Sequence, residues 1–169
     1  MSDNPLSLDL RNFGAQYIPA AAQAGRHIWR VVTATGPHFG SGQHSIFVDV
    51  LGLEGRRVGG IPVLFYNGGE VRKPTEISKD PGYALDFPIF AGGNAYGVRV
   101  DDGQPSDVVF GMGLVPFQPH ASYKVVFRLS VAGGVETPTE PTPPPPAGKT
   151  ARQLLDEAMR LLEQARGLL

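Results

Sequence analysis

The chain has 169 residues, a formal net charge of −1 from 15 basic and 16 acidic side chains, and no cysteine. That balance leaves no basic field to gather phosphates by counterion release, so nucleic acid is not an expected partner. The lack of cysteine removes disulfides, thiolate nucleophiles and cysteine-held zinc or iron–sulfur groups, and the length holds one ordinary domain with an appendage.

The N-terminus, MSDNPLSLDLRNFG, has no basic start leading into an apolar run, and no stretch reaches the roughly 18 apolar residues of a membrane span. Neither a secretory leader nor a membrane span is expected. The reading is of synthesis in the cytoplasm, with the final place, including a virion or a cell surface, left open. Residues 1–25 read as an arm. Leu6, Leu8 and Leu10 recur at every second position, as in an edge strand, and residues 20–25 read as a spacer.

Residues 26–130 carry short runs rich in β-branched and aromatic side chains, separated by turn residues. Candidate strands lie at 27–35, 44–51, 61–67, 95–100, 107–111 and 122–130, with a weaker one at 76–79 or 83–87. Seven antiparallel strands of this kind predict an all-β fold, a β-sandwich of immunoglobulin-like or transthyretin-like type. Alternation predicts the buried face: Trp29 and Val31; Ile46, Val48 and Val50; Tyr96, Val98 and Val100; Tyr123, Val125, Phe127 and Leu129. The connections Gly59-Gly60, Asn67-Gly68-Gly69, Gly92-Gly93-Asn94 and Asp102-Gly103 have turn chemistry. No glycine-rich loop opens a helix, so the nucleotide-binding patterns lack their context.

Six prolines fall between Pro138 and Pro146, within a linker at 131–149 expected to be an extended spacer. Residues 150–169 then predict an amphipathic α-helix, opened by Thr150 and Gln153 as a capping box. Leu154, Leu155, Ala158, Leu161, Leu162, Ala165, Leu168 and Leu169 form its apolar face, opposite Arg152, Asp156, Glu157, Arg160, Glu163, Gln164 and Arg166. A helix of this length is marginal alone in water, and burying six leucines and Met159 offers on the order of 10 kcal/mol, so the face predicts a covering partner. The choices are identical helices in an oligomer, a groove on another protein, a membrane surface, or a return onto the β domain. Arginines mixed with acids on the polar face speak against anionic lipid.

Chemistry is sparse. His27, His38, His44 and His120 form no HxH or HExxH pattern, and no serine sits in a nucleophile elbow, so no enzyme, cofactor or metal is expected. Asp101, Asp102 and Asp107 are candidate calcium ligands on one loop, although Asp-Gly and Pro-Ser within it are ordinary turn-makers. Phe47, Phe65 and Tyr66 are candidate ligand-binding rings, because an aromatic face stacks on the apolar face of a pyranose; Phe39 and Phe117 extend that set.

The segments HSIFVDVL at 44–51, GQPSDVV at 103–109 and HASYKVVF at 120–127 resemble a small immunoglobulin-like β-sandwich accessory domain of bacterial and phage cell-wall-associated proteins. The resemblance covers residues 25–130. It implies a non-catalytic role, recognising a wall glycan or forming part of a virion surface. Residues 148–169 resemble, in composition, the peptides that recruit cargo into bacterial protein shells. The expectation is a binding or structural module that self-associates, or docks in a protein groove, through its C-terminal helix. The alternatives are shell cargo or scaffold, and a capsid or tail component.

Overall fold

The computed structural model describes residues 4–40, 42–77, 79, 82–116 and 120–133. By contacts the chain divides into a unit Met1–Val135 and a second, Glu136–Leu169. The expected association helix, the linker beyond residue 133 and Phe117 lie outside the described residues. Among the described residues, no helix is long and apolar enough to cross a membrane.

The first unit is mostly β, with one short helix, and its strands form two sheets over one core, which fits a β-sandwich. In chain order its elements are α1 (Leu8–Asn12), β1 (Gln16–Ile18), β2 (His27–Phe39), β3 (Ser45–Leu51), β4 (Pro62–Tyr66), β5 (Glu70–Pro74), β6 (Leu85–Pro88), β7 (Tyr96–Val100), β8 (Val108–Met112) and β9 (Ala121–Val131). One sheet has five strands in the order β1-β8-β7-β4-β5, and the other has four in the order β2-β9-β3-β6. Nine strands among the described residues thus stand against the seven expected. The additional ones are β1 and β5, and the weak strand forms at the second of its two expected places, as β6.

The alternation rule holds where a face is buried. Ile46, Val48 and Val50 of β3, Tyr96 and Val98 of β7, and Tyr123, Val125 and Phe127 of β9 are all fully buried. Trp29 and Val31 join them in the same cluster, with Leu129 packed against it. Side chains of both inner faces meet there, as two stacked sheets require.

The ladders are not all antiparallel, which corrects the expectation. β3 runs parallel to β9, with Ile46 opposite Tyr123, Phe47 opposite Lys124 and Val50 opposite Phe127. A parallel pair needs a long crossover, and the chain between β3 and β9 supplies it by passing through the other sheet.

The free edge of the 13-residue β2 is closed by other parts of the chain. Ala34 N donates to Pro5 O and Ser7 N to Ala34 O (2.9 and 2.8 Å), while Trp29 N donates to Pro105 O and Asp107 N to Trp29 O (2.8 and 2.9 Å). An open edge of that length would template pairing with another chain. The opposite edge of the five-stranded sheet is β5, whose Glu70, Arg72, Lys73 and Pro74 make it a poor template.

Residues 4–25 are built into this domain. Leu6, Leu10 and Ala15 belong to the core, and β1 pairs with β8. The leucines at 6, 8 and 10 do not form the expected edge strand. Leu6 makes one parallel bridge with Ala34, and Ser7 then caps α1, its hydroxyl accepting from Leu10 N (3.3 Å). Helical spacing places Leu6 and Leu10 inside and leaves Leu8 62% exposed.

Candidate functional site

The candidate ligand rings fall in three places. Phe65 is fully buried, stacked on Phe87 at 4.4 Å with an interplanar angle of 9°, so its expected ligand role gives way to a core role. Tyr66, two positions from Leu64, lies on the outer face of the five-stranded sheet, where the Arg99 guanidinium stands 6.0 Å from its centroid. Arg99 and Arg72 both bind Asp101 there, at 2.7 and 2.6 Å. Phe47 sits between buried Ile46 and Val48 and therefore faces outward from the four-stranded sheet.

Phe47 has company. The Tyr83 ring lies 4.7 Å from it, centroid to centroid, tilted by 47°. In register, Phe47 faces Lys124 of β9 on one side and Asp86 of β6 on the other. His38, Gln43, Phe47, Gly82, Tyr83, Tyr123 and Lys124 line an open hollow of about 260 Å³.

An irregularity in β2 makes this room. Thr35 faces Lys124 and His38 faces Ser122, so Gly36 and Pro37, joined by a cis peptide, together oppose Tyr123. Gly36 is required there: at φ +125° a Cβ would stand 2.8 Å from Ser122 O and 2.9 Å from Tyr123 Cδ1. The bulge carries His38 to the rim, where its Nε2 is 3.1 Å from Thr35 Oγ1. Beneath, the Tyr123 hydroxyl donates to Gly113 O and accepts from Gly113 N.

Charges on this face are otherwise spent internally. Arg57 holds Asp49 through two contacts (2.7 and 3.0 Å), and Lys79 holds Asp86 at 2.8 Å. A larger hollow of about 470 Å³ is lined by Asp9, Asn12, Phe13, Pro37 and Phe39. There Phe13 turns toward Tyr123 of the core, 6.2 Å away, and Phe39, 49% exposed, is the ring left to solvent.

The calcium reading does not survive the geometry. Asp107 has no exposed side-chain surface, and its two oxygens accept from Tyr17 Oη (2.7 Å), Ala20 N (2.8 Å), Arg30 Nη1 (2.8 Å) and Val31 N (3.0 Å). Asp101 is held by its two arginines, and Asp102 accepts from Gln104 N at 3.0 Å as a turn-former. Among the described residues, no group of three or more His, Asp or Glu side chains is placed to hold a metal. His44 lies 6.2 Å from His120 and 5.3 Å from the exposed Phe90, ring to ring.

Burial, and then the adjacent Asp107 carboxylate, pushes the Tyr17 phenol up from 10.0 to about 12. Burial also raises Tyr123. In both cases the fold favours the neutral phenol. The stabilisation is whole below pH 10 and, for Tyr17, is lost as pH rises toward about 12. Tyrosinate absorbance should show Tyr17 among the last of the five tyrosines to ionise, and the Tyr17→Phe difference titration should isolate it. A Tyr17 that ionises near pH 10 would contradict its hydrogen bond to Asp107.

Sequence reasoning reached Phe47 but not Tyr83, Lys124, His38 or Gln43. For Tyr83 the signal is an aromatic directly after a Pro-Gly turn pair; for Lys124 it is the outward position beside buried Tyr123. No family model, curated protein or solved structure matches the chain.

Proposed function

We propose that the chain is a non-catalytic binding and structural module. It takes a glycan on the outer face of its four-stranded sheet and gathers copies of itself through the apolar face of residues 150–169. The observation that carries the glycan part is the Phe47–Tyr83 pair opening onto a hollow with His38, Gln43 and Lys124 at hand. A half-exposed ring pair offers apolar area to one face of a pyranose, and the polar groups beside it suit ring hydroxyls. Contacts of this size bind weakly one at a time. Copies joined by the C-terminal leucines would multiply them through effective concentration.

The same reading takes the sandwich as immunoglobulin-like or transthyretin-like, akin to cell-wall-associated accessory domains. Two of the segments behind that kinship, 44–51 and 120–127, are neighbours in the β3–β9 ladder and form the floor beneath Phe47.

Glycan-array binding by the full chain tests the proposal. Phe47→Ala and Tyr83→Ala should each weaken the strongest signals by about tenfold or more, with thermal midpoints close to the parent because neither ring is in the core. Sedimentation of the full chain against a chain ending at residue 133 tests the gathering, the full chain being heavier than one copy. Silence across the array would return the site to a structural role, as shell cargo or a virion component. Equal single-copy masses would remove self-association.

A further inference from the structure

We propose that the sugar taken by the Phe47–Tyr83 hollow is an acidic one, a pyranose whose ring bears a carboxylate, with Lys124 as the residue that selects it. This rests on the glycan reading above and narrows it. Lys124 lines the hollow and stands directly across the parallel ladder from Phe47. Directly opposed side chains on one sheet face lie about 5 Å apart at Cβ, so the lysine stem starts beside the ring and its ammonium has the ring's face within reach.

Among the described residues Lys124 makes no ion pair, and the described acids on the face, Asp49 and Asp86, are held by Arg57 at 2.7 Å and by Lys79 at 2.8 Å. The carboxylate opposite Phe47 on its other side therefore does not compete for Lys124. The imidazole of His38, two register positions from Lys124 along β9, adds a polar group on the same side of the hollow. A neutral sugar would use the rings and offer the ammonium hydroxyls alone. A uronate lying on Phe47 uses both, because a carboxylate on the pyranose ring lies within the reach of a lysine stem from that ring's face. A charge-assisted contact of this kind is stronger than its neutral counterpart.

The test is an array of matched hexose oligomers, neutral, amino-substituted and C6-carboxylated, probed with the full chain and with Lys124→Gln, Lys124→Arg and Phe47→Ala. The expected result is a preference of about tenfold for the carboxylated series, reduced by added salt. The ratio of carboxylated to neutral binding should fall to about one in Lys124→Gln and be kept in Lys124→Arg. Phe47→Ala should lose every series together. Equal binding of neutral and carboxylated oligomers, or a preference that survives Lys124→Gln, overturns the acidic-sugar inference and leaves the glycan reading standing. No binding to any series overturns both.

Discussion

Replacing Asp107 with alanine should cost about 3 kcal/mol of stability or more: removing one partner of a buried ion pair costs about 3–5 kcal/mol, and the 28% exposure of Arg30 draws the value to the low end. The carboxylate has no exposure and ties together three parts of the chain: Tyr17 and Ala20 from the N-terminal segment, Arg30 and Val31 from β2, and its own place at the start of β8. Without it, two backbone amides and a phenol lose their acceptor at once, and the Arg30 guanidinium loses its counter-charge while keeping Ala20 O at 3.2 Å. At a few degrees per kcal/mol for a domain of this size, the melting midpoint should fall by about 10–15 °C. Asp107→Asn should lose less than alanine but more than about 1 kcal/mol, since the amide keeps one acceptor and turns an N–H toward existing donors. Hydrogen exchange at the Val31 and Ala20 amides should rise in both variants. An alanine variant melting within two degrees of the parent would show that the clamp contributes little.

That clamp also explains why three neighbouring aspartates look like a calcium loop in the sequence. Loop proximity places Asp101, Asp102 and Asp107 together along the chain, but the sheet sends them different ways. Asp107 turns into the interior toward Arg30, and Asp101 turns toward Arg72 and Arg99 on the outer face. The cations arrive from β2, β5 and β7, and their approach depends on strand order, which a linear pattern does not carry.

The same reasoning separates what was legible from what was not. Faces were legible: Ile46, Val48 and Val50 alternate because one side of β3 is sealed, and that alternation also aimed Phe47 outward. β5 was not, because an edge strand guarded by Glu70, Arg72, Lys73 and Pro74 has no apolar period to read. It exists through its pairing with β4 across the Asn67–Gly69 turn. The leucines at 6, 8 and 10 fit a strand and a short helix about equally. The Ser7 cap and the pocket for Leu10 decide for the helix. Half of the candidate site was hidden for a further reason. Lys124 meets Phe47 through a parallel ladder between distant strands, and Tyr83 reaches it from the loop before β6.

The two outer faces are treated differently by the chain. On the five-stranded sheet, Arg72, Asp101 and Arg99 form a connected set of ion pairs, and the Arg99 guanidinium stands over Tyr66, so charge and ring engage one another. On the four-stranded sheet Asp49 and Asp86 are matched to Arg57 and Lys79, and the ring pair is left beside an ammonium that makes no ion pair among the described residues. On the first face the cations are tied to Asp101 and one of them to the Tyr66 ring, whereas a cation without an ion pair among the described residues, next to half-buried rings, has both apolar area and charge to give. This contrast is why the site is placed at Phe47 and not at Tyr66.

Gly113→Ala should be at least as damaging as the loss of Asp107. A Cβ at residue 113 would stand 1.7 Å from Gly93 O, 2.9 Å from Gly93 C and 3.3 Å from Ala91 O, all backbone atoms that no rotamer can move aside. The approach is held from both sides, by Leu114 N donating to Ala91 O (2.9 Å) and Gly93 N to Leu114 O (3.3 Å). It is held from the core as well, where the Tyr123 hydroxyl binds both the carbonyl and the amide of Gly113. An added methyl must open the loop at residues 91–94 or detach Gly113 from Tyr123, and either should cost about 3 kcal/mol or more. Gly97→Ala is the control. Its Cβ would meet Phe110 Cδ2 at 2.6 Å, but that ring is 37% exposed at the surface and can swing outward. The cost there should be about 1 kcal/mol. Chemical denaturation of the two variants should separate them by about 2 kcal/mol, and equal midpoints would show that the loop at 91–94 yields as easily as a surface ring.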